Sequence, residues 1–205
     1  MTLFLTLVSG IAWTIVYIEC IRLGFKEKAY SMPLFALALN IAWEGIYSFV
    51  DLQSFSAQTI ANLVWFACDL LIVYTYFKFG RKEFSANSQR FFVLISITVF
   101  ATCLLIQLAF YWQFGLRYGS RYSAFLQNLV MSLLFIAMLF KRDGKRGQSM
   151  TIAVAKWLGT LAPTILMGVL QEVNVYVIIC GALCSVFDIA YIVLLARWPK
   201  LSRQN

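Results

Sequence analysis

Long apolar runs alternate along the chain with short polar ones, and the polar runs carry the turn and charge signals. Seven apolar runs stand out: Leu3–Leu23, Pro33–Val50, Thr59–Phe79, Phe91–Trp112, Ala124–Phe140, Thr151–Leu170 and Val175–Trp198. Each is near the ~20 residues that a helix needs to cross the hydrocarbon of a bilayer. In lipid every backbone polar group must be satisfied within the spanning structure, so helices are the expected form. The connections hold breakers such as Gly80-Arg81-Lys82 and Asp143-Gly144. The pattern predicts an all-α polytopic membrane protein, a bundle of seven transmembrane helices forming one domain over residues 1–205.

The basic residues orient this bundle. One set of loops and helix ends holds Arg22, Lys26 and Lys28, then Lys78, Arg81, Lys82 and Arg90. The same set continues with Lys141, Arg142, Lys145 and Arg146, and ends with Arg197, Lys200 and Arg203. The opposite loops hold only Arg117 and Arg121, and Lys156 lies inside the sixth run. Cytoplasmic loops carry the excess of Lys and Arg, so seven spans place the amino terminus outside and the carboxyl terminus in the cytoplasm. Trp112, Tyr118, Tyr122 and Trp198 fall near span ends, where interfacial anchoring is expected. The first run is long enough to span and has no basic start, so it is read as a span rather than a cleavable signal. A compact chain without a targeting extension suits a bacterial inner membrane, with the endoplasmic reticulum as the eukaryotic alternative.

Composition narrows the chemistry. Of 205 residues, 61% are apolar and 13% charged, whereas soluble domains run nearer half and a quarter. The net charge of +8 sits in short loops between apolar runs, which argues against a nucleic-acid partner. There is no histidine, which removes the commonest general base and metal ligand. The five cysteines, Cys20, Cys68, Cys103, Cys180 and Cys184, lie in apolar runs without a C-x-x-C pair, so packing is their expected role. No Asp-rich magnesium motif, D-x-D-D run or glycine-rich phosphate loop is present. The seventh span has no lysine for a retinal Schiff base.

Four carboxylates fall within spans: Glu19, Glu44, Asp69 and Asp188. An ionised group at a span's centre costs on the order of 3 kcal/mol on insertion scales, and such residues usually face the bundle interior and do a job. Glu19 precedes Arg22 by three residues, a spacing for a local ion pair. The second span puts Asn40, Glu44 and Tyr47 on one face with Trp43 beside them; the third puts Asn62, Trp65 and Asp69 together; the seventh puts Cys184, Asp188 and Tyr191 together. One reading is structural, acids hydrogen-bonding between helices. The other is functional. Counter-charges are scarce, since Lys156 is the only basic residue well inside a span, and an unpaired acid in an apolar cavity favours its neutral, proton-holding form. Trp43, Tyr47, Trp65, Phe187 and Tyr191 offer π faces that stabilise a cation, and the same groups suit a transport path equally well.

On Asn40-x-x-Trp43-Glu44-x-x-Tyr47, with Phe187-Asp188-x-x-Tyr191 near the carboxyl end, the chain resembles the small seven-helix membrane terpene cyclases of fungal meroterpenoid and indole-diterpene pathways and their bacterial relatives. The resemblance implies a metal-independent, cofactor-free cyclase acting on a prenylated lipophilic substrate, by protonating an alkene or an epoxide. It assigns the two essential acids to Glu44 and Asp188, with Asp69 as a supporting acid, and Asn40, Trp43, Tyr47, Asn62, Trp65, Phe187 and Tyr191 to the substrate cavity. It also implies that neutralising Glu44 or Asp188 abolishes product while leaving a folded protein. Two other readings stand beside it: a small proton-coupled transporter, suggested by midplane acids and Pro163 inside the sixth span, and a structural subunit.

Overall fold

The computed structural model describes residues 1–50 and 57–199, with side chains from residue 59 onward in the second part. Lys200 and Arg203, counted above on the basic side, lie outside the described residues. Among the described residues six α-helices follow in order: α1 (Thr2–Lys26), α2 (Leu34–Val50), α3 (Ala57–Phe79), α4 (Phe92–Arg142), α5 (Met150–Ile165) and α6 (Val175–Arg197). No strand occurs among the described residues. The helical runs containing α1, α3, α4, α5 and α6 are long and apolar enough to cross a bilayer, and α2 is shorter at 17 residues.

The largest departure from the sequence reading lies in α4, where the fourth and fifth runs join. A turn was expected between Trp112 and Ala124, but a single residue makes it. Gly115 stands at φ 70°, ψ −175° inside an otherwise helical stretch, in a region that only glycine enters readily. The chain reverses there. Gln107 and Gln127 would be about 30 Å apart on a straight helix, yet their side-chain amides meet at 2.7 Å. Phe114 and Tyr122 likewise meet edge to face with ring centroids 5.7 Å apart. Residues 116–123 are polar enough to read as a loop but stay helical because Gly115 alone absorbs the reversal. Each arm exceeds the ~20 residues that a span requires.

Local chemistry sets the other ends. The Ser149 hydroxyl accepts from the Ile152 amide at 3.2 Å and starts α5; Asn174 Oδ1 accepts from Val177 N at 3.1 Å and starts α6. Pro163 lies inside α5, which widens directly afterwards into a π turn over Leu166–Leu170. A proline cannot donate to the ladder, and a π turn is a common adjustment beside functional sites.

The bundle has two distinct ends. At one, Arg142 holds Glu83 at 2.8 and 3.0 Å and the Tyr30 carbonyl at 2.8 Å, and Arg146 reaches the Lys28 carbonyl at 2.7 Å. Glu19 and Arg22 pair at 2.6 Å near this end, as their spacing suggested. At the other end Arg121 pairs with Glu172, and Tyr122 packs on Tyr176. Between them Val16, Tyr17, Leu37, Ile72, Phe135, Ile152 and Tyr191 form one buried core that draws on all six helices. Leu3, Phe4, Ile11, Val93, Leu105 and Val186 point outward and stay exposed, an apolar outer surface of the kind that lipid covers. All five cysteines are free thiols, and only Cys68 is not fully buried.

Candidate active site

A cavity of about 420 Å³ opens between α1, α2, α3, both arms' junction in α4, and α5. Its volume lies within the range of small-molecule sites, roughly 300–1,000 Å³. Along α1 its lining runs from Leu5 to Tyr17, about 18 Å of helix axis at 1.5 Å per residue. The entrance is formed by Thr6, Leu116 and Arg117, all exposed, and the floor by Tyr17, Asn40 and Glu44, all buried. Pro163, Leu166 and Met167 form part of one wall, so the π turn widens the helix where the cavity lies.

Aromatic rings dominate the deeper wall. Trp65 stacks on Tyr17 with centroids 6.0 Å apart and planes 17° off parallel. Trp13 meets Tyr17 at 6.4 Å, and Trp43 meets Tyr47 at 5.2 Å. Each indole N–H is tied back to the scaffold: Trp13 to the Gly159 carbonyl at 3.2 Å, Trp43 to the Ser120 carbonyl at 2.9 Å, Trp65 to the Thr14 hydroxyl at 3.1 Å. Their polar edges are thereby satisfied and their orientations held.

Two carboxylates meet at the floor. The Asn40 amide nitrogen lies 3.2 Å from Glu44 Oε1 and 2.9 Å from Asp69 Oδ2. The Tyr17 hydroxyl donates to Glu44 Oε1 and accepts from Asn40. Glu44 Oε2 and Asp69 Oδ1 are buried and face no N–H donor or hydroxyl, the two carboxyls hydrogen-bond to each other, and neither has a cationic partner among the described residues. Asn40 is itself held from behind. Its Oδ1 accepts from Gln127 at 3.2 Å, and Gln127 Oε1 accepts from Gln107 at 2.7 Å. Glu44 lines the cavity, whereas Asp69, fully buried, stands behind Asn40 and is not part of the lining.

Asp188 occupies a different place. Lys156 Nζ donates to both its oxygens, at 2.7 and 3.0 Å, and to the Ser132 hydroxyl at 2.7 Å. The lysine is 0% exposed and the aspartate 1%. The expectation that Asp188 lacks a counter-charge is therefore corrected. Lys156, the basic residue inside the sixth run, is long enough to reach a carboxylate on α6. Neither Asp188 nor its neighbours Phe187 and Tyr191 lines the cavity; Tyr191 packs on Phe135 and donates to Gln148 at 2.8 Å. The pair lies about one helical turn beyond the floor, because Ser132 donates to the carbonyl of Asn128, and Asn128 is a lining residue.

Of the expected cavity residues, Asn40, Trp43, Tyr47, Asn62 and Trp65 surround one space with Glu44. Sequence reasoning missed Tyr17, Trp13 and Gln127. Gln107 and Gln127 carried a signal, as amides inside apolar spans tend to bond across helices. Tyr17, two residues before Glu19 in an otherwise apolar run, carried none.

Residues 1–200 match the model of the Pyr4-like transmembrane terpene cyclases. Among curated relatives, the Pyr4-family terpene cyclase mfmH of Annulohypoxylon moriforme is 32% identical over 77% of this chain and 66% of its own length. The terpene cyclase ascF of Acremonium egyptiacum is 32% identical over 75% of this chain and 62% of its own. The terpene cyclase pyr4 of Aspergillus fumigatus is 26% identical over 93% of this chain and 84% of its own. The chain thus spans about two thirds of the length of the first two. These relatives are fungal and are named cyclases, so the bacterial inner membrane and the transporter reading gain no support from them. No solved structure matches the chain. With its apolar helices and a family match over nearly its whole length, this multi-pass membrane protein belongs to the Pyr4-like transmembrane terpene cyclase family.

Proposed function

We propose that the protein is a metal-independent cyclase in which Glu44 protonates an epoxide or terminal alkene of a prenylated lipophilic substrate inside the cavity. One observation carries this reading: Glu44 ends a cavity walled by indole and phenol rings, paired with a second buried acid and with no cation among the described residues. In the proposed course, the substrate enters from the Arg117 end with its prenyl tail first. Glu44 gives its proton to the epoxide oxygen or to the alkene carbon. The resulting cation is held by the faces of Trp13, Trp43, Trp65 and Tyr47 while ring bonds form. Loss of a proton to a carboxylate or to water ends the sequence. Asp69 is the second acid, coupled to Glu44 both directly and through Asn40. General acid catalysis supplies typically 10²–10⁴-fold; folding of the chain in a cavity that excludes water supplies the remainder.

Asp188 enters through Lys156 and Ser132, by locking α6 to α5 and to the second arm of α4 beneath the floor. The two arms of α4 are read as separate spans. That gives seven spans with the amino terminus outside, places the Arg142 end in the cytoplasm, and sets the cavity within the membrane.

The test is Glu44→Gln, assayed in membranes with a farnesylated phenol and its terminal epoxide. Product is expected to fall by at least about 100-fold, with unchanged expression and melting. Product formed at the wild-type rate would remove Glu44 as the acid.

A further inference from the structure

Arg117 and Arg121 are the two basic residues that the loop count leaves on the side opposite the other fourteen. The structure brings both to the cavity, at the end away from Glu44. Arg121 is 8% exposed and pairs with Glu172, while its second nitrogen meets Gln171 Oε1 at 3.1 Å. Arg117 lies 3.6 Å from the same Glu172, with its side chain 67% exposed, and its guanidinium makes no hydrogen bond among the described residues. Among the described residues two cations thus share one carboxylate, which leaves a net positive charge at the entrance of a chamber with an aromatic deeper wall. A prenyl tail that reaches Glu44 leaves its acceptor ring at this entrance.

We propose that the Arg117–Arg121 end is a headgroup subsite for acceptor rings that carry an ionised oxygen, such as a phenolate, enolate or carboxylate, in preference to neutral rings such as indoles. This rests on the proposed direction of substrate entry. A guanidinium matches a carboxylate or enolate geometrically through its planar fork, and a charged entrance flanked by apolar walls draws anions toward it. The arrangement also opposes the charge bias of the loops, which gives the two arginines a job other than topology.

Binding without turnover tests it. The purified full-length protein, in zwitterionic micelles, is titrated with two saturated farnesyl analogues: a farnesylated hydroxybenzoic acid and the same compound methylated on both oxygens. Quenching of tryptophan fluorescence reports occupancy, since Trp13, Trp43 and Trp65 line the cavity. The wild type is expected to bind the acid about tenfold more tightly, the low end for a charge-assisted hydrogen bond at an exposed site. Arg117→Gln is expected to lose that preference while binding the neutral analogue as before. Glu172→Gln, which removes the competing carboxylate, is expected to bind the acid still more tightly, a gain that a merely structural arginine would not give. Equal affinity of the wild type for both analogues overturns the proposal, as does an undiminished preference in Arg117→Gln. An anionic phospholipid that displaces the acid as well as unlabelled acid does also overturns it, by making the arginines a lipid contact. Neither analogue can cyclise, so these outcomes are separate from the Glu44→Gln turnover test of the cyclase reading.

Discussion

Replacing Asp188 by Asn changes one oxygen into an NH₂ and removes one charge, in a place where that charge has a single partner. Lys156 Nζ has three hydrogens and three acceptors, both Asp188 oxygens and the Ser132 hydroxyl. Both charged side chains are sealed from solvent. With asparagine at 188, the ammonium keeps two of its three acceptors but loses the third and its counter-charge. Removing one partner of a buried pair costs about 3–5 kcal/mol, a large share of the roughly 5–15 kcal/mol that holds a typical domain together. For a chain of this size that corresponds to a fall of about 6–20 °C in melting temperature. The five free thiols make a convenient reporter, because Cys184 is buried one turn from Asp188. Melting in detergent is followed by a dye that fluoresces on thiol reaction. Asp188→Asn is expected to melt well below the wild type. The double variant Lys156→Gln with Asp188→Asn, which leaves neither charge, is expected to recover most of the loss, along with part of the cyclisation activity. An Asp188→Asn protein that melts with the wild type and yet makes no product would refute this reasoning and return Asp188 to the chemistry.

Three further outcomes follow from the geometry. Gly115→Ala meets no atom within 4 Å, so its cost is backbone strain alone, about 1–3 kcal/mol, and a modest drop in melting temperature is expected. Gly119→Ala places its methyl 2.7 Å from the Phe110 carbonyl and 3.0 Å from the Tyr47 hydroxyl, so it should melt lower than Gly115→Ala and lose activity through the displaced Tyr47; the reverse order would contradict the fold-back at Gly115. Gln127→Leu strands Asn40 Oδ1 in the interior and leaves the Gln107 amide only the Leu39 carbonyl at 3.4 Å, a loss of about 1–3 kcal/mol for the stranded group, and is expected to cut turnover more than substrate affinity.

The sequence revealed what depends on single-helix periodicity and missed what depends on packing. Asn40, Glu44 and Tyr47 recur at helical spacing, so their shared face was readable before any fold was known, and Asn62 with Trp65 followed by the same rule. The partners across helices have no such spacing. Lys156 and Asp188 stand 32 residues apart, and only the packing of α5 on α6 shows that a lysine stem reaches so far. The Gly115 reversal was hidden for another reason. Polar residues 116–123 resembled a loop, while the true signal was one glycine in an aromatic stretch that any helix tolerates at a cost of about 1 kcal/mol. A positive φ cannot be seen in composition.

The amides behind the acids run in one direction, and this bears on where a catalytic proton sits. Gln107 donates to Gln127, Gln127 donates to Asn40, and Asn40 turns its own NH₂ toward Glu44 and Asp69. With its oxygen engaged by Gln127, Asn40 cannot present an acceptor to the acids. Tyr17 adds another donor to the same Glu44 oxygen, Oε1. That oxygen is thus surrounded by donors and has no acceptor for a proton of its own. A proton held by Glu44 therefore belongs on Oε2, which is sealed from solvent, in a carboxyl that also hydrogen-bonds to Asp69. Chains of like-oriented hydrogen bonds reinforce one another in a low dielectric, so an amide two links away, Gln127, helps to choose the oxygen that holds a proton. In the proposed cyclisation, every residue that fixes Asn40 therefore also fixes the acid that gives the proton.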